Sequence, residues 1–183
     1  GLSATRGWYM FKTFGHEKIS VLDGGLTKWI SGGHPVTDNI SIFAKSHYIA
    51  SRDQNATRTV EQLIENVISN NEQVIDARSN KRFLGTEPEP RAGLKSGHIP
   101  NSFNVPFNTL FNDDKTFKPP NSIKEIFLNS GVDLNKPIVT SCGSGMTACT
   151  LLFALELIGQ DNKSLYDGSW TEWGSHPDTP VIK

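Results

Sequence analysis

The hydrophobic and polar positions of this chain follow two periods. Apolar residues recur at spacings of three and four within residues 57–69, which predicts a helix. Further apolar segments predict helices at 147–158 and 169–173. Short β-branched or apolar runs predict strands at 73–76, 102–107, 137–141 and 164–166. Strands that alternate with helices indicate an α/β fold with a central parallel sheet and helices on both faces.

Two local signals refine this outline. Ser122, followed three residues later by Glu125, has the pattern of a capping box and predicts a helix start there. Residues 80–101 are rich in proline, glycine and charge, which predicts an irregular loop.

An internal repeat appears when the sequence is shifted by 144 positions. Matched residues include the pairs Gly1 and Gly145, Asp23 and Asp167, Gly24 and Gly168, and Trp29 and Trp173. Each copy is expected to run from a small-residue loop through an apolar helix, a short strand, an Asp-Gly turn and a Trp-containing helix to His-Pro. We therefore expect residues 1–36 to be the C-terminal remnant of a first domain, 37–50 a linker, and 51–183 a complete domain.

Composition narrows the function classes. Eighteen basic and nineteen acidic residues leave a net charge of −1, which favours neither a nucleic acid nor a membrane as a partner. The longest apolar stretch, residues 151–158, carries Glu156 and is too short to span a membrane. Two cysteines exclude a disulfide scaffold and a zinc ribbon, and no metal or organic cofactor is indicated.

A cysteine-glycine loop follows the predicted strand 137–141. Its members are Cys142, Gly143, Ser144, Gly145, Met146 and Thr147. Successive backbone N–H groups in such a turn, with the start of the next helix, form a nest of positive potential that favours the nucleophilic thiolate. The alternative is a buried small apolar cysteine at a strand end, and spacing alone leaves both open. Cys149 lies on the apolar helix and is expected to be an inert packing residue.

Two mechanisms use a cysteine in such a loop. Cysteine phosphatases require an arginine six residues after the cysteine, and this chain has Ala148 there. Sulfur transfer requires little beyond a ring of N–H donors around a persulfide. The loop therefore favours sulfur transfer.

Four segments carry a resemblance to a known family. They are Cys142–Cys149 (C-G-S-G-M-T-A-C), Arg82–Arg91 (R-F-L-G-T-E-P-E-P-R), Gly97–Pro100 (G-H-I-P) and Asp167–Trp170 (D-G-S-W). The chain resembles the rhodanese superfamily, and within it the mercaptopyruvate sulfurtransferase branch. The resemblance implies tandem rhodanese-like domains with the active cysteine in the second.

The resemblance also implies residue roles. Cys142 would carry the sulfur, and Arg82 and Arg91 would bind the donor's carboxylate and carbonyl. Ser144 would assist proton movement with a His and an Asp that lie upstream of Gly1. The alternatives are solvated arginines paired with Glu87 and Glu89, and a serine that is merely a small loop residue.

The two residues after Cys142 indicate which sulfur donor the site favours. Rhodanese proper resembles this chain but has two basic residues there, which suit dianionic thiosulfate, whereas this chain has Gly143 and Ser144. We therefore expect 3-mercaptopyruvate as the small-molecule sulfur donor, pyruvate as product, and a thiol such as thioredoxin, or cyanide, as acceptor. The alternatives are thiosulfate sulfurtransferase and a truncated, non-catalytic binding module. The resemblance favours an intracellular protein of the cytoplasm or mitochondrion.

The remaining candidates are structural. Arg78 is expected to form an ion pair with a carboxylate, and His98 to hydrogen-bond to the backbone. The apolar residues of segment 1–36 must cover some other surface of this chain, dock on the second domain or mediate self-association. They are Trp8, Tyr9, Phe11, Phe14 and Trp29.

Overall fold

Residues 2–183 are described by a computed structural model, and Gly1, the predicted repeat partner of Gly145, lies outside them. The helices are α1 (Leu2–Thr13), α2 (Gly25–Ser31), α3 (Val60–Ser69), α4 (Asn80–Phe83), α5 (Pro120–Asn129), α6 (Ala148–Leu157) and α7 (Ser169–Trp173). The strands are β1 (Thr57–Arg58), β2 (Gln73–Asp76), β3 (Phe103–Asn104), β4 (Ile138–Ser141) and β5 (Lys163–Tyr166). Short 3₁₀ helices occupy Gln54–Ala56 and Phe107–Leu110.

The strands form one parallel sheet in the order β1-β5-β4-β2-β3. β4 lies at its centre, and all four of its residues are buried. Alternate strand residues enter different cores, because successive side chains point to opposite faces. Ile75 packs with α1, α5 and α6 on one face, whereas Val74 packs with α3 and α7 on the other. The predicted fold class, with helices on both faces, is confirmed.

Several predicted boundaries were wrong, and α4 forms at the start of residues 80–101, which were predicted to be an irregular loop. The helix predicted to start at Ser122 begins at Pro120, because a proline in the first turn has its φ preset and lacks only an N–H that would be unpaired anyway. A capping box does occur, but at Thr59 and Gln62 of α3. The strand predicted at 102–107 shortens to β3, because Pro106 lacks a ladder donor and the chain then turns into a 3₁₀ helix.

The first helix packs against the larger unit. Trp8 meets the ring of Phe153 of α6 edge-on at 5.0 Å, and the Tyr9 hydroxyl donates to the Ala56 carbonyl at 2.9 Å. Both side chains are buried. Docking on the larger unit is therefore the observed arrangement for these two residues.

The rest of the first segment is more exposed. The strand expected before its Asp-Gly turn does not form, and residues 16–22 are irregular. A strand needs a paired neighbour for its backbone groups, and no strand among residues 2–183 pairs with this segment. α2 buries no side chain, whereas its repeat counterpart α7 buries Trp170 and Trp173. Residues 37–50 are exposed and have neither helix nor strand.

Candidate active site

The candidate nucleophile lies where the central strand ends. β4 delivers Cys142 to the carboxyl edge of the sheet, and α6 begins six residues later at Ala148. Ligands of parallel α/β sheets bind outside this edge. The Cys142 side chain is 1% exposed, and it lines a cleft of about 240 Å³. The predicted order of strand, loop and helix is matched, but Cys142 also belongs to the buried apolar core, and its nucleophilic role stays a prediction.

The turn into α7 orients the peptide groups of the cysteine loop. The N–H groups of Trp170 and Thr171 donate to the carbonyls of Cys142 and Gly143, each at 2.9 Å. No described peptide bond is cis, and a trans peptide points its C=O and its N–H in opposite directions. The N–H groups of Gly143 and Ser144 therefore point away from α7. The Ser144 N–H donates to the Cys142 sulfur at 3.4 Å.

Ser169 is a site residue that the sequence reasoning missed. Its hydroxyl accepts from the N–H groups of Cys142 and Gly145, each at 3.1 Å, and donates to the Tyr166 carbonyl at 2.9 Å. It is fully buried and has φ +51°, which is uncommon for a residue other than glycine. The Asp-Gly-Ser-Trp segment after a strand was the available signal. Its role depends on β5 lying beside β4.

Both the backbone conformation and the lack of room for a side chain require glycine at position 145. Its φ is +75°, and a Cβ atom there would lie 2.5 Å from Asp167 Oδ1 and 2.8 Å from the Asp167 carbonyl oxygen. Arg6 of α1 holds the Asp167 carboxylate through two hydrogen bonds. The cysteine loop, the turn after β5 and the first helix therefore meet at this glycine.

Both predicted donor-binding arginines line the cleft, but in different electrostatic states. Arg82 pairs with Glu89, whose side chain is only 2% exposed. Arg91 is exposed and donates to the Thr171 hydroxyl at 3.0 Å. Among residues 2–183, Arg91 has no carboxylate partner, so it is the cleft's unneutralised cation. Of the predicted alternative, in which both arginines form solvated pairs, the pair of Arg82 with Glu89 is present, but it is largely buried.

Comparison with known proteins identifies the family of this chain. The rhodanese-like domain profile matches residues 59–176. The mouse 3-mercaptopyruvate sulfurtransferase is 42% identical over 93% of this chain, and the rat thiosulfate sulfurtransferase is 43% identical over the same share. The Escherichia coli 3-mercaptopyruvate sulfotransferase SseA superimposes with a TM-score of 0.79 at 36% identity, over 92% of this chain and 63% of its own. The chain belongs to the rhodanese family. It spans 58% of the length of each of the two curated relatives.

The other loop residues of this rhodanese domain surround the cleft. Met146 and Ser144 are exposed at its rim, and Thr147 lies at the start of α6. Proton assistance by Ser144 stays a prediction. Residues 2–183 contain no cluster of three or more metal-ligating side chains, and none of their helices is long and apolar enough to cross a membrane.

Cys149 lies on α6 and is not among the residues that line the cleft. It is fully buried on α6, and its thiol donates to the Gly145 carbonyl at 3.2 Å. Burial raises the pKa of Cys149 to about 12, so the thiol stays neutral near pH 7. Both cysteines are free thiols. The geometry agrees with the prediction that Cys149 is a packing residue.

Arg78 and His98 have the structural roles that were predicted. The Arg78 side chain is fully buried, binds Asp76 and Glu89, and stacks on the Trp170 ring at 4.1 Å. His98 Nδ1 lies 2.9 Å from the Phe83 carbonyl oxygen. Glu89 therefore bridges a structural arginine and a cleft arginine.

Proposed function

We propose that this rhodanese domain is a sulfurtransferase that carries sulfane sulfur on Cys142. The observation that carries the proposal is the direction of the loop amides. Trp170 and Thr171 of α7 donate to the carbonyls of Cys142 and Gly143, so the N–H groups of Gly143 and Ser144 point away from α7, and that of Ser144 donates to the sulfur at 3.4 Å. Main-chain donors fixed before the reaction stabilise a sulfur anion without reorganisation. They would serve the thiolate and the persulfide alike.

We propose 3-mercaptopyruvate as the donor. The Cys142 thiolate attacks the donor's sulfur, the carbon–sulfur bond breaks, and its electron pair leaves on carbon as the pyruvate enolate. The enolate takes a proton to give pyruvate, and the persulfide gives up its own proton to become the anion. An acceptor thiolate then attacks the outer sulfur, which regenerates the Cys142 thiolate.

The charge of the cleft supports this donor over thiosulfate. Glu89 offsets the charge of Arg82, which leaves Arg91 as the one cation without a carboxylate among the described cleft residues. One free guanidinium matches a single carboxylate better than a compact dianion. Gly143 and Ser144 add no charge beside the sulfur. Thiosulfate is the second candidate, since relatives with both names are about equally similar.

Mass spectrometry of the intact chain tests the proposal. Brief treatment with 3-mercaptopyruvate should add the mass of one sulfur atom to the chain and release pyruvate, and Cys142→Ser should add none. Cys149→Ser is the matched control and should still gain sulfur. An unmodified wild-type chain would refute the sulfurtransferase proposal and favour a non-catalytic binding module. Faster loading from thiosulfate than from mercaptopyruvate would reverse the donor assignment.

We further propose a small thiol protein such as thioredoxin, or cyanide, as acceptor, in the cytoplasm or mitochondrion. A relative from Arabidopsis thaliana that is 41% identical to this chain is named as mitochondrial, which supports the second compartment. Mixing the persulfidated chain with reduced thioredoxin should remove the added sulfur and yield sulfide. Persistence of the persulfide would refute this acceptor.

Self-association is a separate proposal for the first segment. Several of its large apolar side chains stay exposed after α1 has docked, namely Met10, Phe11, Phe14, Leu22, Leu26 and Ile30. Large apolar side chains exposed on a surface favour association. Sedimentation velocity should show a concentration-dependent dimer that Phe11→Ser and Phe14→Ser weaken. A monomer at all concentrations would refute it.

A further inference from the structure

The Thr171 hydroxyl joins the cysteine loop to the cleft's free cation. It donates to the Gly143 carbonyl at 2.6 Å and accepts from Arg91 Nη1 at 3.0 Å. The Thr171 main-chain N–H also donates to the same carbonyl, at 2.9 Å. The loop is therefore held by both the main-chain N–H and the hydroxyl of Thr171, whereas Arg91 is held, among the hydrogen bonds of residues 2–183, by the Thr171 hydroxyl.

Arg91 depends on this contact for its position. It is exposed, on a loop of proline and glycine between α4 and β3. An arginine side chain loses about 2 kcal/mol of rotamer entropy when it is fully ordered. A bond to a hydroxyl that is itself fixed removes part of this cost before any ligand binds.

We propose that Thr171 is a positioning residue that fixes the Arg91 guanidinium relative to Cys142, and so sets where the anionic end of a donor binds. The donor's part in this inference rests on the proposed function. The anion-positioning part does not, because it concerns any small carboxylate that reaches Cys142.

Thr171→Val removes the hydroxyl and keeps the shape of the side chain. It therefore removes the bond to Arg91 and keeps the main-chain bond to the Gly143 carbonyl. The backbone N–H still holds the Gly143 carbonyl, so the loop should keep its geometry. Arg91 should lose its preset position. We therefore expect the KM for mercaptopyruvate to rise about 3- to 10-fold, because binding must then meet part of the cost of ordering Arg91, with kcat changed less than twofold.

Alkylation of Cys142 gives a readout that is independent of sulfur transfer. Iodoacetate carries a carboxylate and iodoacetamide is its neutral counterpart. The rate of Cys142 alkylation by iodoacetate divided by the rate with iodoacetamide therefore measures anion positioning. This rate ratio should be higher for the wild-type chain than for free cysteine. Thr171→Val and Arg91→Ala should both lower it, and Thr171→Ser should restore it. Peptide mass spectra separate Cys142 from Cys149.

A matched control removes the same group elsewhere. The half-buried Thr109 donates its hydroxyl to the Pro106 carbonyl at 2.7 Å, outside the cleft, so Thr109→Val should leave the rate ratio unchanged. The proposal is overturned if Thr171→Val keeps the wild-type ratio while Arg91→Ala lowers it. It is also overturned if Thr171→Val slows both reagents equally, which a merely structural role would produce. A wild-type chain that shows the ratio but takes no sulfur would instead refute the proposed function.

Discussion

Gly145→Ala measures how tightly the cysteine loop is held. Gly145 has φ +75°, and a left-handed conformation costs a residue with a Cβ about 1–2 kcal/mol. The new Cβ would also lie 2.8 Å from the Asp167 carbonyl oxygen, which is backbone and cannot rotate away. Overpacking of this kind costs about 1–3 kcal/mol. The variant should therefore lose about 2–5 kcal/mol of unfolding free energy.

Gly159 offers a matched control for the backbone part. Its φ is also +75°, but a Cβ there would meet nothing within 4 Å. Gly159→Ala should cost only about 1–2 kcal/mol. The difference between the two variants isolates the contact with Asp167.

Urea unfolding of both variants gives the two free energies, and persulfide formation from mercaptopyruvate gives the effect on the site. We expect Gly145→Ala to slow persulfide formation at least tenfold, because the shifted loop misdirects its N–H groups. Gly159→Ala should form the persulfide at the wild-type rate. Variants that agree within about 0.5 kcal/mol, with equal persulfide rates, would refute the reasoning.

Three further predictions concern stability. The free energy of unfolding should fall as pH rises from about 9 to about 12, because the Cys149 thiol ionises near pH 9 in the unfolded chain but only near pH 12 in the folded one. Cys149 contributes at most about 1.4 kcal/mol per pH unit to this fall, and Cys149→Ala should flatten the slope. Glu89→Gln should cost about 2–4 kcal/mol in urea unfolding, since it leaves the buried Arg78 short of a charged partner; an equal midpoint would contradict the pairing. Trp8→Ala should lower the free energy of unfolding by about 3 kcal/mol and Trp29→Ala by less than about 1 kcal/mol, because Trp8 is buried and Trp29 is exposed. Similar losses for the two variants would show that α1 does not dock as described.

Much of the site could be predicted because its chemistry is local in sequence. The run from β4 through Cys142 to α6 is continuous, so hydrophobic pattern and glycine spacing place the cysteine at a strand end. The inert character of Cys149 also follows from its place on an apolar helix. Helix starts were less certain, because Ser122 and Pro120 are both residue types that favour a helix start.

The partners of the cysteine loop could not be predicted, because they come from another element. Ser169 and Thr171 reach the loop only since β5 pairs with β4 and α7 follows it. The sequence likewise leaves open whether Glu87 or Glu89 pairs with Arg82, and whether that pair is solvated. The fold buries Glu89 between two arginines.

Sequence alone determined the α/β class, the cysteine loop and the family, because periodicity and contiguous motifs record local burial and turn geometry. Tertiary structure decided which loop carbonyls accept hydrogen bonds from α7, which cleft arginine pairs with a carboxylate, and where the first helix docks. These depend on strand order and on contacts between distant residues, which a one-dimensional pattern does not encode.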